Sequence, residues 1–483
     1  MSHAQYNTFQ IWIKKGHRLY RYLDETCRHA KNLYNTTNFY IRQIFTALRQ
    51  QKPLEPLQKE VLDTLVQYIE IMNERQQKAY GSRKAKEQRK PADKQRELHC
   101  KLFQLPTKEN AYVDYEFLDC LFKVMEHENY RALPTQSSQW VIKSVFHNWK
   151  SFFASIKDYH QHPEKYKGKP RIPKYCRAKE KEIQFTNQDC VITDGKFLKL
   201  PKTKLRLNIG KLGYTKGTLQ QVRVVPKYGQ YVVELIFACP MEMKQLDKER
   251  YMSIDLGVNN LATIVTTTGS RPVLVKGKQI KAINQYYNKR KAHYMSILRH
   301  GKQPHEGQHT SKRLERLHRT RYRKIKDLFH KASAHIVQLA VGQNIGTIIV
   351  GLNQGWKQAS DMGKRSNQSF CHIPHHLLIS MIKYKAAQQG MDVQVTEEAY
   401  TSQASFLDHD PLPAYEEGKA PMFSGKRIRR DLYRSMKGLI HADVNGAANI
   451  LRKVVPNASA DGVEGLDGNQ SVNVSTPLVL SLR

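Results

Sequence analysis

The sequence predicts a multidomain α+β chain, and three observations carry that expectation. Apolar residues recur at helical spacing up to about residue 160. Short β-rich runs punctuated by turn residues follow between 183 and 238, and strands and helices then alternate from 248 to 455. A chain of 483 residues is also too long for one compact core, so several domains are expected.

Each element has its own signal. Phe9 to Ile13 reads as a strand, after which Leu19, Leu23, Cys27, Ala30, Tyr34, Thr37, Ile41 and Ile44 mark the apolar stripe of one long helix. Residues 55 to 72 look helical too. Glu74 to Leu98 carries almost nothing to bury and reads as a mobile charged insertion rather than a solvated helical arm. Leu133-Pro134 opens a further helix, with Val141, Val145, Trp149, Phe152 and Ile156 on its buried face. After the Gly-, Pro- and Lys-bearing stretch Tyr166 to Phe185, strands are expected at 183–186, 191–200, 204–209, 219–226 and 230–238, with Tyr228-Gly229 as a hairpin turn. A small β-barrel or sandwich is the natural reading.

The stretch Met252 to Val265, MSIDLGVNNLATIV, reads as a hairpin that sets Asp255 at the end of a strand. A carboxylate there costs desolvation energy unless something pairs with it, and a hard divalent cation is the usual partner of oxygen ligands. The competing reading is an aspartate that caps its own turn. A strand near Pro272 to Val275 follows, then helices at Gln279–His300 and Thr310–Val341, a strand at Gly346–Val350, and a loop rich in Asn, Gln and Lys that includes Lys357. A helix at Pro374–Gln389 precedes the strand Met391–Thr396, which runs into Glu397-Glu398. The loop Ala399–Leu439 contains SGKRIRRDLYRSMKG and ends where Asp443 begins the last helix. The tail from 457 to 483 is polar and expected to be disordered.

The formal charge is 79 − 43 = +36, which must repel itself unless a polyanion neutralises it. Between Lys281 and Lys326 only Glu306 and Glu315 are acidic. Lys289, Arg290, Lys312, Arg313, Arg316, Arg321 and Arg323 there, together with Lys357, Lys426, Arg427, Arg429 and Arg430, are candidates for phosphate contact. No apolar run reaches spanning length and MSHAQYNTFQ is no signal peptide, so a cytoplasmic, nucleoid-associated protein without a membrane partner is expected. The seven cysteines form no CxxC pair. His372, His375 and His409 are scattered, so neither a disulfide framework nor a structural zinc is expected.

From 248 to 455 the pattern is β-β-β, helices, β, helix, β, helix, with carboxylates at two strand ends and at the start of the last helix. An RNase H-like nuclease core needs that arrangement, because carboxylates from distant segments can ligate two magnesium ions while leaving room for a phosphate. Six segments also resemble the TnpB (OrfB) family of insertion-sequence nucleases, related to type V CRISPR effectors. They are KNLYNTTNFYIRQIF at 31, YRALPTQSSQWVIKSVFHNWKSFF at 130, IDLGVNNLATI at 254, LFHKASAHIV at 328, YTSQASFLD at 400 and HADVNGAANILRK at 441.

The resemblance implies an RNA-guided DNA endonuclease encoded by a transposable element. Its expected parts are a first wedge strand (1–16), a helical recognition lobe (17–160), a β-barrel wedge (161–247) and a RuvC-like nuclease domain (248–456) with a helical insertion at 279–341. Magnesium, or manganese, would be held by Asp255, Asp443 and one further acid. The family's second acid follows the fourth strand, but here that position is Gly351-Leu352-Asn353. Glu398 is expected to replace it, with Glu397 as the alternate. The family's four-cysteine zinc ribbon is also missing after Tyr400-Thr401-Ser402. Guide RNA from the element end and double-stranded target DNA are the implied partners of a monomeric ribonucleoprotein. A nuclease-dead RNA-guided repressor and an accessory transposase-type DNA-binding protein are the alternatives.

Overall fold

The computed structural model describes residues 5–212, 217–239, 244–303, 305–353, 372–414, 421–456 and 475–482. The chain divides into two compact units, Met1–Pro240 and Met241–Arg483. Its architecture is multidomain α+β, with helices and several sheets, none closed into a barrel. No helix among the described residues is long and apolar enough to cross a membrane.

In the first unit, strand β1 (Gln5–Ile13) precedes helices α1 (Tyr20–Arg49), α2 (Pro56–Gln88), α3 (Tyr115–Val124), α4 (Glu128–Arg131) and α5 (Thr135–Gln161). The stripe on α1 is buried from Leu23 to Ile44. It packs on α5, whose fully buried Trp149 donates its indole N–H to Asn38 Oδ1 at 2.9 Å. Helix α2 corrects the expectation of a mobile insertion, because it continues unbroken through Glu74 to Gln88. Good helix formers fill that stretch, and Pro91 lies beyond its end. A returning segment also lies along it: Asn73 exchanges two hydrogen bonds with the Phe103 backbone, and the Tyr80 hydroxyl donates to Leu98 C=O at 3.0 Å.

The β region of this unit contains β2 (Ile183–Thr186), β3 (Val191–Thr193), β4 (Phe197–Lys199), β5 (Arg206–Asn208), β6 (Thr218–Lys227) and β7 (Gln230–Cys239). Tyr228 and Gly229 join the last two with positive φ at both positions, as a two-residue hairpin requires. Among the described residues the expected barrel is not formed. One antiparallel sheet runs β1-β7-β6-β2 and a separate one runs β3-β4-β5. The strand expected over 191–200 breaks because Asp194 and Gly195 both take positive φ and turn the chain back on itself. The ladder that would close a barrel therefore divides into two open sheets.

The second unit is built on a six-stranded sheet ordered β12-β11-β8-β9-β10-β16. Its strands are β8 (Asp247–Asp255), β9 (Asn260–Thr266), β10 (Val273–Lys276), β11 (Ile345–Gly351), β12 (Asp392–Thr396) and β16 (Leu478–Leu480). Strands β8, β9 and β10 form an antiparallel meander, while β11 lies parallel to both β8 and β12. Parallel neighbours need crossovers. These contain α6 (Lys278–Arg299), α7 (Lys312–Gly342) and α8 (His375–Ala387). Strand β11 is buried throughout: Ile348 and Val350 join the core under α7 and α8, while Ile349 joins the core beneath α9 (Ala442–Val454) on the opposite face. A small sheet of β13 (Lys426–Arg429), β14 (Leu432–Arg434) and β15 (Leu439–His441) packs Tyr433 and Ile440 into that second core.

The tail also differs from expectation. Residues 457–474 lie outside the described part, but β16 pairs in parallel with β10 and Leu482 is buried. The alternation in Leu478, Leu480 and Leu482 gives this segment an apolar side, and Arg271 ties it down by donating to Thr476 C=O.

Candidate active site

Asp255 is the last residue of β8, Glu398 follows β12 by two residues, and Asp443 lies in the first turn of α9. The parallel strands β8, β11 and β12 bring the first two to one end of the sheet, and α9 crosses that end. Two glycines make the approach possible. A Cβ on Gly446 of α9 would lie 3.0 Å from Asp255 Oδ2, and one on Gly351 would lie 3.0 Å from Glu398 Oε2.

Asp255 feels the other two acids. Burial, reinforced by the charges of Glu398 and Asp443, pushes the Asp255 carboxyl well above the usual carboxylate range, with Arg427 opposing. Burial also pushes Glu398 up to about 7, against a backbone hydrogen bond at Asn353 and the Lys453 charge. Asp443 is held by a relay: Lys276 Nζ donates to Asn260 Oδ1 at 3.1 Å, and Asn260 Nδ2 donates to Asp443 Oδ2 at 2.7 Å. Its Oδ1 faces Arg427 at 3.1 Å. His441 caps α9 by accepting the Asp443 N–H at Nδ1, 3.2 Å away.

Glu397 and Glu398 part company. The Glu398 N–H donates to Asn353 Oδ1 at 2.8 Å, and its C=O accepts the Thr401 hydroxyl at 2.9 Å. This turn fixes Glu398 at the sheet end, where its charge acts on Asp255. Glu397 is exposed and lies 4.0 Å from Lys453, beside a separate cleft with His409 and Arg452.

Asp255 and Asp443 line a cleft of about 770 Å³ whose walls include Lys276, Lys278, Lys281 and Arg427. Lys276, Lys278 and Asn260 were not singled out in the sequence. Asn260 had the signal of a turn residue, and Lys276 and Lys278 stand just before the stretch poor in acids. Among the described residues no three His, Cys, Asp or Glu side chains draw close enough to grip a metal ion unaided. The carboxylates nevertheless suit a hard cation that also takes oxygens from water and phosphate, because buried Glu398 Oε1 has no hydrogen-bond partner, and burial together with the charges of Glu398 and Asp443 raises Asp255. His375 is buried with Nε2 3.4 Å from Gly257 C=O, His372 lies 3.1 Å from Asn288 Nδ2, and His409 is exposed.

The basic candidates divide by environment. Lys289 on α6, Lys312, Arg313, Arg316 and Arg323 on α7, and Lys426, Arg429 and Arg430 around β13 are exposed. Arg290 stacks on Tyr294 and donates to its hydroxyl at 2.8 Å. Arg321 departs from a free phosphate contact: it lies over Tyr287 and donates to Asn284 Oδ1 and His372 C=O, since a planar guanidinium can pin two segments at once. Lys357 lies outside the described residues.

Comparison with known proteins finds partial matches. The OrfB_IS605 family model, described as a probable transposase, matches residues 235–357, and the Cas12f1-like TNB domain model matches 375–450. The TnpB-like protein ORF457 of Acidianus two-tailed virus is 25% identical over 361 residues, covering 68% of this chain and 75% of the relative. A Cas12f1–sgRNA–target DNA complex aligns at TM-score 0.48 and 13% identity over 92% of this chain and 98% of its own. The mini-RNA-guided endonuclease Cas_phi3 aligns at TM-score 0.34 and 10% identity, over 70% and 85%. The chain is thus similar to a TnpB-like protein over 68% of its length, and to the Cas12f1-like TNB domain over residues 375–450.

Proposed function

We propose that this chain is an RNA-guided DNA endonuclease of transposon origin whose RuvC-like core hydrolyses phosphodiesters with magnesium. The observation that carries this reading is the meeting of Asp255, Glu398 and Asp443 at the end of the sheet beside a basic cleft. The order β12-β11-β8-β9-β10 supports it, because it places the meander and the two parallel strands as an RNase H-like core needs. Asp255, Glu398 and Asp443 would hold the magnesium, or manganese, which when bound supplies charge to stabilise a pentavalent phosphate and lowers the pKa of water. Lys276, through Asn260, orients Asp443. Arg427, Lys278 and Lys281 offer cations to a phosphodiester entering the cleft. Zinc has no part in this reading.

The partners follow from charge and family. The Cas12f1 relative is described with a guide RNA and target DNA, and +36 needs such polyanions. We place the protein in the cytoplasm, at the nucleoid, as a monomeric ribonucleoprotein. Incubating the purified ribonucleoprotein with a matching plasmid, with and without magnesium, tests the reading. Asp255→Ala and Asp443→Ala should each abolish cutting while leaving RNA and DNA binding nearly intact. Full binding with no metal-dependent cutting by the wild type would instead identify a guided repressor.

A further inference from the structure

Helix α6 leads from the mouth of the carboxylate cleft to a second hollow. Lys278 and Lys281 line the first, and on the following turns Ile283 and Tyr286, with Leu317 and Lys324 of α7, line a space of about 250 Å³. Its floor is fixed, because Arg321 lies over Tyr287 at 4.7 Å and is bonded to both Asn284 and His372. Tyr286, by contrast, is 64% exposed. An aromatic ring left in water beside an apolar hollow, with Lys289 and Lys324 exposed around it, fits a planar apolar group that carries anionic attachments. A nucleobase on its phosphodiester has that chemistry.

Lys281 and Tyr286 are five positions apart, a rise of roughly 7.5 Å and a turn of about 140° around the axis, so a strand reaching from the cleft to the hollow passes around α6. We propose that the hollow receives one unstacked base of the DNA strand whose phosphate lies in the carboxylate cleft, with the base stacking on Tyr286 and Lys324 meeting its phosphate. The choice of strand rests on the nuclease reading. The site would hold the strand beyond the cleft and fix where the cut falls.

The test uses the full chain, purified with its bound RNA. An oligodeoxynucleotide bearing 5-iodo-deoxyuridine at every position makes the binding register irrelevant, and ultraviolet crosslinking followed by peptide mapping should mark Tyr286. Tyr286→Ala should weaken single-stranded DNA binding about fivefold or more, with an unchanged slope of log affinity against log salt, and Tyr286→Trp should restore it. Lys324→Ala should reduce that slope by about one. No crosslink in α6, or wild-type affinity in Tyr286→Ala, overturns the proposal. Preferential marking by an iodouridine RNA of equal length overturns the assignment to DNA. Plasmid cutting without a Tyr286 crosslink removes the hollow alone, whereas the crosslink without cutting sustains the hollow and removes the nuclease reading.

Discussion

Glu397 and Glu398 are neighbours of the same chemistry, yet their surroundings differ sharply. Glu398 is gripped at its backbone by Asn353 and Thr401 and shares the repulsion felt by Asp255, while Glu397 faces solvent and Lys453. Under the nuclease reading, Glu398→Gln should stop plasmid cleavage without disturbing RNA binding, and Glu397→Gln should cut near the wild-type rate. Equal loss in both would show that the Lys453 side of the turn also matters. Asp255 was legible in the sequence because a strand followed by a glycine turn is a local signal. Adjacency to Tyr400-Thr401-Ser402 also singled out Glu398, and the physical reason is that Thr401 closes the turn on its carbonyl. The relay through Lys276 and Asn260 was not legible, because it depends on a register between β9, β10 and α9 that spacing does not encode.

At the scale of elements, the segment from Tyr400 to Gly438 has a stapled construction. Asp408 accepts from the backbone N–H groups of Met436 and Lys437 and from the Ser424 hydroxyl, and Asp410 accepts from the N–H groups of Ser405 and Ser424. These carboxylates hold β13, β14 and β15 where the resemblance called for a zinc ribbon. Burial works against the charge on Asp408, but the hydrogen bonds outweigh it and hold the carboxyl below its usual range. Its contribution to stability is therefore present above the unfolded pKa of roughly 4 and is lost as pH falls through the lower folded value. Asp408→Asn should lower amide protection factors in β13–β15 at neutral pH to those that the wild type reaches only in acid. Wild-type protection in that variant would show that Asp410 suffices. Elements whose periodicity is local, such as α1 and the β6–β7 hairpin, were readable. Barrel closure was not, because it rests on pairings between strands far apart in sequence.

For the whole molecule the governing quantity is +36. Exposed cations on α6, α7 and the β13–β14 hairpin are poor in acidic partners, so bound phosphate should release many counterions. The protein should purify with a defined RNA species protected from ribonuclease, resistant to modest salt. Heterogeneous cellular RNA that elutes completely at modest salt would remove the guide. Composition announced a polyanion without saying which one, since charge density carries no sequence information.

Gly446 offers a handle of a different kind. Because a Cβ there would sit 3.0 Å from Asp255 Oδ2, Gly446→Ala adds a single methyl wedge behind the carboxylate and alters no charge. Under the nuclease reading it should displace Asp255 by a few tenths of an ångström and lower the cutting rate on the order of tenfold, since small misplacements are costly in catalysis. DNA affinity and its salt dependence should remain at wild-type values. On that reading such a variant would be an attenuated nuclease in place of a dead one, its dose set by one carbon atom, and single-turnover cleavage beside a binding isotherm would measure the separation.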